Sequence, residues 1–302
     1  MNRIEELGEF ARGLGCGVRF GEPMSRHTTF RIGGPADLFL TVGDRAALRA
    51  VRRKAFGLEV PVFPLGNGSN LLVGDAGVRG AVVTLGGTFR KIVARGETEL
   101  ECGAGASLAG LCKFARDRSL TGLEFAYGIP GLVGGAAFMN AGAYGHSVSE
   151  AIVSCSHVTA GGEAGVLRGE ALGFGYRRSA YTDNGALITA VRVKLERGDP
   201  DEISEKMEDL YARRKAKQPL ELPSAGSVFK RPPGQYAGTL IEACGLKGQR
   251  VGGAVVSEKH AGFIVNAGGA TCEDVRRLIG RIRETVFQKT GVRLECEVKM
   301  IG

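Results

Sequence analysis

Apolar residues three and four apart mark the helices of this 302-residue chain, because 3.6 residues per turn bring such positions onto one face. They predict a helix over 2–14. A second runs from an N-cap at Asp44 through Phe56, with Leu48, Val51 and Ala55 aligned. A third runs from Ser107 to about Arg118, with Leu108, Leu111, Cys112 and Ala115 as its stripe. A long one runs from Cys272 to about Thr290, carrying Val275, Leu278, Ile279, Ile282 and Val286 behind a capping-box pair, Thr271 and Asp274. A polar helix is expected from Glu202 to about Lys217, stopped by Pro219, and a short one from about Gly238 to Cys244. Short apolar or alternating runs predict strands at Ala36–Val42, Val60–Leu65, Leu71–Val73, Ala81–Leu85, Lys91–Ala94, Glu99–Cys102, Ala151–Thr159, Leu187–Leu195 and Ser227–Lys230, and near Ala254 and Phe263. The last run, Arg293–Ile301, alternates: Leu294, Cys296, Val298 and Met300 face one way, Glu295, Glu297 and Lys299 the other. Strands and helices do not follow a regular βαβ rhythm, so the pattern is α+β. The turn-rich stretch Arg197–Asp201 is the expected main boundary.

Composition narrows the picture. The net charge is +8, yet the basic residues are scattered; the densest clusters are Arg52-Arg53-Lys54 and Arg213-Arg214-Lys215-Ala216-Lys217. There is no Trp and few aromatics, so stacking platforms for single-stranded nucleic acid are scarce. Phosphorylated small molecules explain the charge better than nucleic acid does. Seven cysteines, an odd number with no C-x-x-C pair, argue against disulfides and zinc and for a reducing, cytoplasmic setting. No signal-peptide core or membrane-length apolar run is present in the sequence, and no metal is expected.

Candidate chemistry concentrates in glycine. Six of the eighteen residues in Gly128–Gly145 (GIPGLVGGAAFMNAGAYG) are glycine, mixed with Ile129, Leu132, Val133, Phe138 and Met139. A flexible linker would be polar. Glycine with apolar anchors describes a buried loop whose bare backbone approaches something closely, such as phosphate oxygens or a planar ring. A second loop, Leu65–Leu72 (LGNGSNLL), follows a strand. Its Gly66-x-Gly68 opens a Rossmann fingerprint but lacks the third glycine and the following helix, so a strand-loop-strand phosphate site fits it better than a dinucleotide fold of that type. A Gly- and Asn-rich turn fits it equally. Two such loops suggest a large dinucleotide. The pair Arg177-Arg178 among aromatics offers a bidentate clamp for a carboxylate or phosphate. Ser227 enters a strand after Ala225-Gly226, without a G-x-S-x-G elbow and with no triad signature among His27, His146, His157 and His260. On periodicity alone Glu297 is a solvated carboxylate.

Seven segments in order carry a resemblance: HTTFRIGGPADLFL (from His27), PLGNGSNLLV (from Pro64), Gly128–Gly145, YRRS (from Tyr176), AGSVFKRP (from Ala225), GFIVN (from Gly262) and LECEVKMIG (from Leu294). From about residue 20 onward the chain resembles the UDP-N-acetylenolpyruvoylglucosamine reductase family, in its shorter form without an inserted tyrosine loop. The resemblance implies FAD as cofactor and NADPH as co-substrate. It implies an N-terminal helical segment over 1–20, a two-lobed FAD domain of the vanillyl-alcohol-oxidase/PCMH type over 21–198 (lobes about 21–85 and 86–198), and a substrate-binding α+β domain over 199–302. It makes Arg177, Ser227 and Glu297 the catalytic residues. Leu65, Gly66, Asn67, Gly68, Ser69, Asn70, Gly103, Ala104, Gly128, Ile129, Pro130, Gly134, Gly135, Ala141 and Gly142 would hold FAD. Tyr144, Tyr176, Lys217 and Lys230 would touch substrate, with Lys215 competing for the diphosphate. Arg231 stands where the family usually has asparagine. A monomer without nucleic-acid or membrane partners is expected. The rival readings are another FAD oxidoreductase on the same fold and a basic nucleic-acid-binding module.

Overall fold

The structure, a computed structural model, describes residues 2–302, so position 1 of the expected N-terminal segment lies outside it. Two compact units divide the chain. The first comprises the chain up to Gly21, Asp37–Asn67 and Gly80–Ala212; the second comprises Glu22–Ala36, Gly68–Arg79 and Arg213–Gly302.

In the first unit a five-stranded antiparallel sheet runs in the order Ala164–Arg168, Ile152–Val158, Leu187–Lys194, Glu99–Gly103, Ile92–Ala94. A parallel pair joins Val62–Leu65 to Val78–Leu85, with Val62 opposite Ala81 and Leu65 opposite Thr84. The helices form where apolar stripes and caps agree. Asp44 caps Arg45–Gly57 through the Ala47 N–H, and Ser107 caps Leu108–Arg116 through the Gly110 N–H. Their stripes, Leu48, Val51 and Ala55 in one and Leu108, Leu111, Cys112 and Ala115 in the other, are buried in one core. Asn2 and Glu5 form a capping box at the start of Arg3–Gly13.

The second unit packs the long helix Cys272–Thr290 on a four-stranded antiparallel sheet ordered Ser224–Ser227, Phe263–Asn266, Ala254–Val256, Arg250–Val251. The predicted stripe Val275, Leu278, Ile279, Ile282 and Val286 is buried, and the Thr271–Asp274 capping box is formed. Asp75 reinforces that helix start, accepting from the Cys272 N–H at 2.7 Å and the Glu273 N–H at 3.0 Å. The last strand corrects the expectation of one long alternating run. Only Lys299–Ile301 is strand, pairing in parallel with Leu71–Val73. Leu294 and Val298 are buried, whereas Met300 is exposed, because 293–298 is held by an isolated bridge between Phe229 and Cys296 rather than by a ladder. The polar helix begins at Pro200 rather than Glu202. No helix of the described residues is long and apolar enough to cross a membrane.

Candidate active site

The glycine-rich segment contains a short helix, Val133–Phe138, that its composition does not predict. Tertiary bonds hold it. The Val133 and Gly134 N–H groups donate to Ala106 O and Ala104 O, each at 2.9 Å. A Cβ at Gly134 would lie 2.7 Å from the Ala104 Cβ, so only glycine lets the helix sit against the end of the Glu99–Gly103 strand. Gly135, next in the first turn, is exposed with nothing within 4 Å of where its Cβ would be. Gly66 lies alongside, its missing Cβ 3.9 Å from Leu132. The first unit thus brings Leu65, Gly66 and Asn67 together with Gly103, Ala104, Gly134 and Gly135 around bare backbone.

Two tight turns follow, each with an L-residue in the left-handed region. Tyr144 (φ 55°) and Gly145 (φ 88°) close the hairpin of Gly142–Ala143 with His146–Ser147. Positive φ at both central residues is the geometry that matches strand twist. The Tyr144 hydroxyl donates to Leu210 O at 2.8 Å, and its ring is substantially exposed. In the second turn Gly175 and Arg178 exchange backbone bonds of 3.1 and 3.3 Å, which puts Tyr176 and Arg177 (φ 55°) at the tip. The structure separates the two arginines. Arg178 spends its guanidinium on the exposed Asp183 at 2.9 Å. Arg177 turns inward, donating to Gly142 O at 3.1 Å and Asn140 O at 3.5 Å, with its guanidinium carbon 5.2 Å from the Tyr176 ring centre. A guanidinium ordered in this way presents the planar donor fork that suits a carboxylate or phosphate.

In the second unit Ser227 ends a strand that carries an irregularity. Ser224 pairs with Val265 and Ser227 with Phe263, so the Ser strand holds one residue more than its partner. Gly226 (φ 76°) takes the left-handed conformation there, a glycine bulge that re-aims the next side chain. The half-buried Ser227 hydroxyl has no hydrogen-bond partner among the described residues. Glu297 is brought next to it: its N–H donates to Val228 O at 2.8 Å, and its own carbonyl accepts from the Asn70 side chain at 3.2 Å. Glu297 is half-buried rather than fully solvated. Gly68, Ser69 and Asn70 therefore belong to this unit. A Cβ on Gly68 (φ 61°) would meet His27 O at 2.3 Å, so the loop is pinned to the stretch that begins the HTTFRIGG motif. Lys230 lies opposite Glu295, with an ion pair at 3.1 Å. Lys215 and Lys217 are both exposed, and Lys259, which the sequence did not single out, donates to Lys215 O at 2.8 Å.

Burial sets the electrostatics of the groups left over. It pushes the thiols of Cys102, Cys112 and Cys155 up to about 12, so none is a nucleophile at neutral pH. His157 and His260 are held below the usual imidazole value, chiefly by burial. Asn140, absent from the predicted site, is buried with its side chain bonded to Gly175 O and to the Ser149 N–H; its one mark in the sequence is that it stands alone as an asparagine inside a glycine-rich run.

Residues 218–301 match the family model described as UDP-N-acetylenolpyruvoylglucosamine reductase, C-terminal domain, and residues 36–168 match the one described as FAD binding domain. The chain is 47% identical over 281 residues to the UDP-N-acetylenolpyruvoylglucosamine reductase of Caldanaerobacter subterraneus subsp. tengcongensis, covering 93% of this chain and 92% of the relative. It is 45% identical over 285 residues to that of Lactococcus lactis subsp. cremoris, covering 94% and 95%. Among solved structures it is similar to the UDP-N-acetylenolpyruvylglucosamine reductase of Thermus caldophilus, with a TM-score of 0.83 and 38% identity over 95% of this chain and 100% of that one.

Proposed function

The chain belongs to the UDP-N-acetylenolpyruvoylglucosamine reductase family, and from that premise we propose how its own residues perform the reaction. The protein is an FAD-dependent oxidoreductase that uses NADPH to reduce the enolpyruvyl group of UDP-N-acetylglucosamine enolpyruvate to a lactyl ether, giving UDP-N-acetylmuramate for peptidoglycan synthesis. The cradle of Gly66, Gly103, Ala104, Gly134 and Gly135 suits a large cofactor, since it presents bare backbone and Gly135 faces open space. FAD supplies the hydride carrier between NADPH and the sugar nucleotide when bound.

The rest is protein chemistry. Hydride addition at C3 of the enol ether leaves negative charge at C2, spread onto the neighbouring carboxylate. Arg177 meets that charge with a guanidinium already held by two carbonyls, so no reorganisation is needed as charge develops. Ser227 gives the proton to C2, which completes the lactyl ether, and recovers its own from solvent. A serine is a weak acid, and Glu297 beside it reaches the same carboxylate oxygens through a proton shared between the two carboxyl groups. Tyr144 and Tyr176 border the sugar nucleotide, and Lys217 or Lys215, with Lys230, meets the diphosphate. We place the protein in the cytoplasm as a monomer.

The observation that supports this reading best is the free Ser227 hydroxyl, re-aimed by a bulge and held beside Glu297. Anaerobic stopped-flow kinetics tests it. Ser227→Ala keeps the rate at which NADPH bleaches the flavin and slows the return of colour with the enolpyruvyl substrate by about 100- to 10,000-fold. Equal loss in both half-reactions overturns the role of Ser227.

A further inference from the structure

We propose that Asn140 is the positioning residue for Arg177, fixing both the turn that carries it and the direction of its guanidinium; the inference rests on the role given to Arg177 above. Asn140 is buried to 8% exposure and left-handed, with φ 43°. Its side-chain N–H donates to Gly175 O at 3.0 Å, the first residue of the Arg177 turn. Its side-chain oxygen accepts from the Ser149 N–H at 3.1 Å, which fixes the amide's orientation. Its own backbone carbonyl accepts from Arg177 at 3.5 Å, beside the Gly142 carbonyl at 3.1 Å. One residue therefore touches Arg177 at its backbone turn and at its charged end. A second tie, from the Ser179 hydroxyl to Phe138 O at 2.8 Å, anchors the far side of the turn to the same short helix.

The chemistry explains the residue type. The position demands a left-handed backbone, a side-chain donor toward Gly175 and a side-chain acceptor toward Ser149. Glycine satisfies only the first, aspartate lacks the donor, and alanine lacks all three. Asparagine alone among common residues combines easy left-handed φ with both bonds.

The test uses the flavin-loaded protein and four variants: Asn140→Gly, Asn140→Asp, Arg177→Ala, and Asn140→Gly with Arg177→Ala. Asn140→Gly keeps the backbone conformation and deletes both side-chain ties; Asn140→Asp keeps shape and reverses the polarity toward Gly175. Each single Asn140 variant is expected to slow reoxidation by the enolpyruvyl substrate about 10- to 100-fold, the cost of misplacing a charge by about an ångström. Reduction by NADPH stays at the wild-type rate. Calorimetric affinity for UDP-N-acetylmuramate falls in the same order. In the Arg177→Ala background, Asn140→Gly costs no more than about twofold, because the two act as one unit. Additive losses in the double variant overturn the inference, as does wild-type reoxidation in either Asn140 variant while Arg177→Ala is slow. Failure of both Asn140 variants to fold assigns the residue to the scaffold and also overturns it. Unchanged reoxidation in Arg177→Ala sinks the underlying role of Arg177 instead.

Discussion

Gly226→Ala probes whether the bulge in the Ser224–Ser227 strand aims the candidate proton donor. Gly226 sits at φ 76°, and a Cβ placed there would find nothing nearer than Ser69 O at 3.9 Å. Steric collision therefore contributes nothing, and the cost is the left-handed penalty alone, about 1–2 kcal/mol for an L-residue. A protein of this size loses about 2–4 °C of melting temperature per kcal/mol, so the variant melts about 2–8 °C lower if the bulge survives. The strand can escape the penalty by flattening the bulge, and then Ser227 leaves its register with Phe263. Either response draws on the same 1–2 kcal/mol, which corresponds to about 5- to 30-fold slower proton delivery. The assay pairs differential scanning calorimetry with stopped-flow half-reactions. Gly226→Ala lowers the melting temperature and slows substrate-driven reoxidation about 5- to 30-fold, while NADPH-driven reduction is unchanged. Gly226→Asn, whose side chain tolerates left-handed φ, loses less of both. A Gly226→Ala protein that melts early yet reoxidises at the wild-type rate refutes the reasoning: the bulge would then be scaffold only.

Two further outcomes follow from the same geometry. Arg178→Ala leaves kcat/KM within about twofold of wild type, since its partner is an exposed Asp183 and such surface pairs contribute about 0–1 kcal/mol; a loss matching that of Arg177→Ala in steady-state assays contradicts the division of labour between the two arginines. Thiol titration at pH 8 finds the buried cysteines silent in the native protein and all seven reactive once it is unfolded, because burial holds Cys102, Cys112 and Cys155 at about 12 and Cys272 at about 11. Several fast-reacting thiols in the native state would contradict the burial.

Local signals made much of the fold legible. Asp44, Ser107 and Thr271 announce their helices because a short oxygen-bearing side chain ahead of an apolar stripe is itself the capping device. The long helix in the second unit occupies Cys272–Thr290, as its stripe and cap required. What stayed hidden depends on distant partners. Val133–Phe138 is a helix against its propensity because Ala104 and Ala106 accept its first N–H groups. The alternation of 293–301 reads as one strand, but ladder partners exist only for Lys299–Ile301. That the Arg177 guanidinium meets the carbonyls of Asn140 and Gly142, some 35 residues away along the chain, has no marker in the local sequence. Single-chain periodicity also holds no marker for the two segments, Glu22–Ala36 and Gly68–Arg79, that join the second unit.

That interleaving has a consequence for how the protein comes off the ribosome. The Leu71–Val73 strand emerges early, yet its pairing partner, Lys299–Ile301, follows far later along the chain. The Phe30 carbonyl likewise waits for the side chain of Asn266, and the Thr29 hydroxyl for Ser224 O. The second unit is thus assembled from pieces translated far apart in time, and a nascent chain must carry two orphan segments, one of them an unpaired strand edge, until Arg213–Gly302 has been made. Such non-local closure is slow and exposes surface to aggregation. The residue offered here as the proton donor sits in the unit that this late seam closes, so the polypeptide gains its chemistry only once distant stretches of the chain have met.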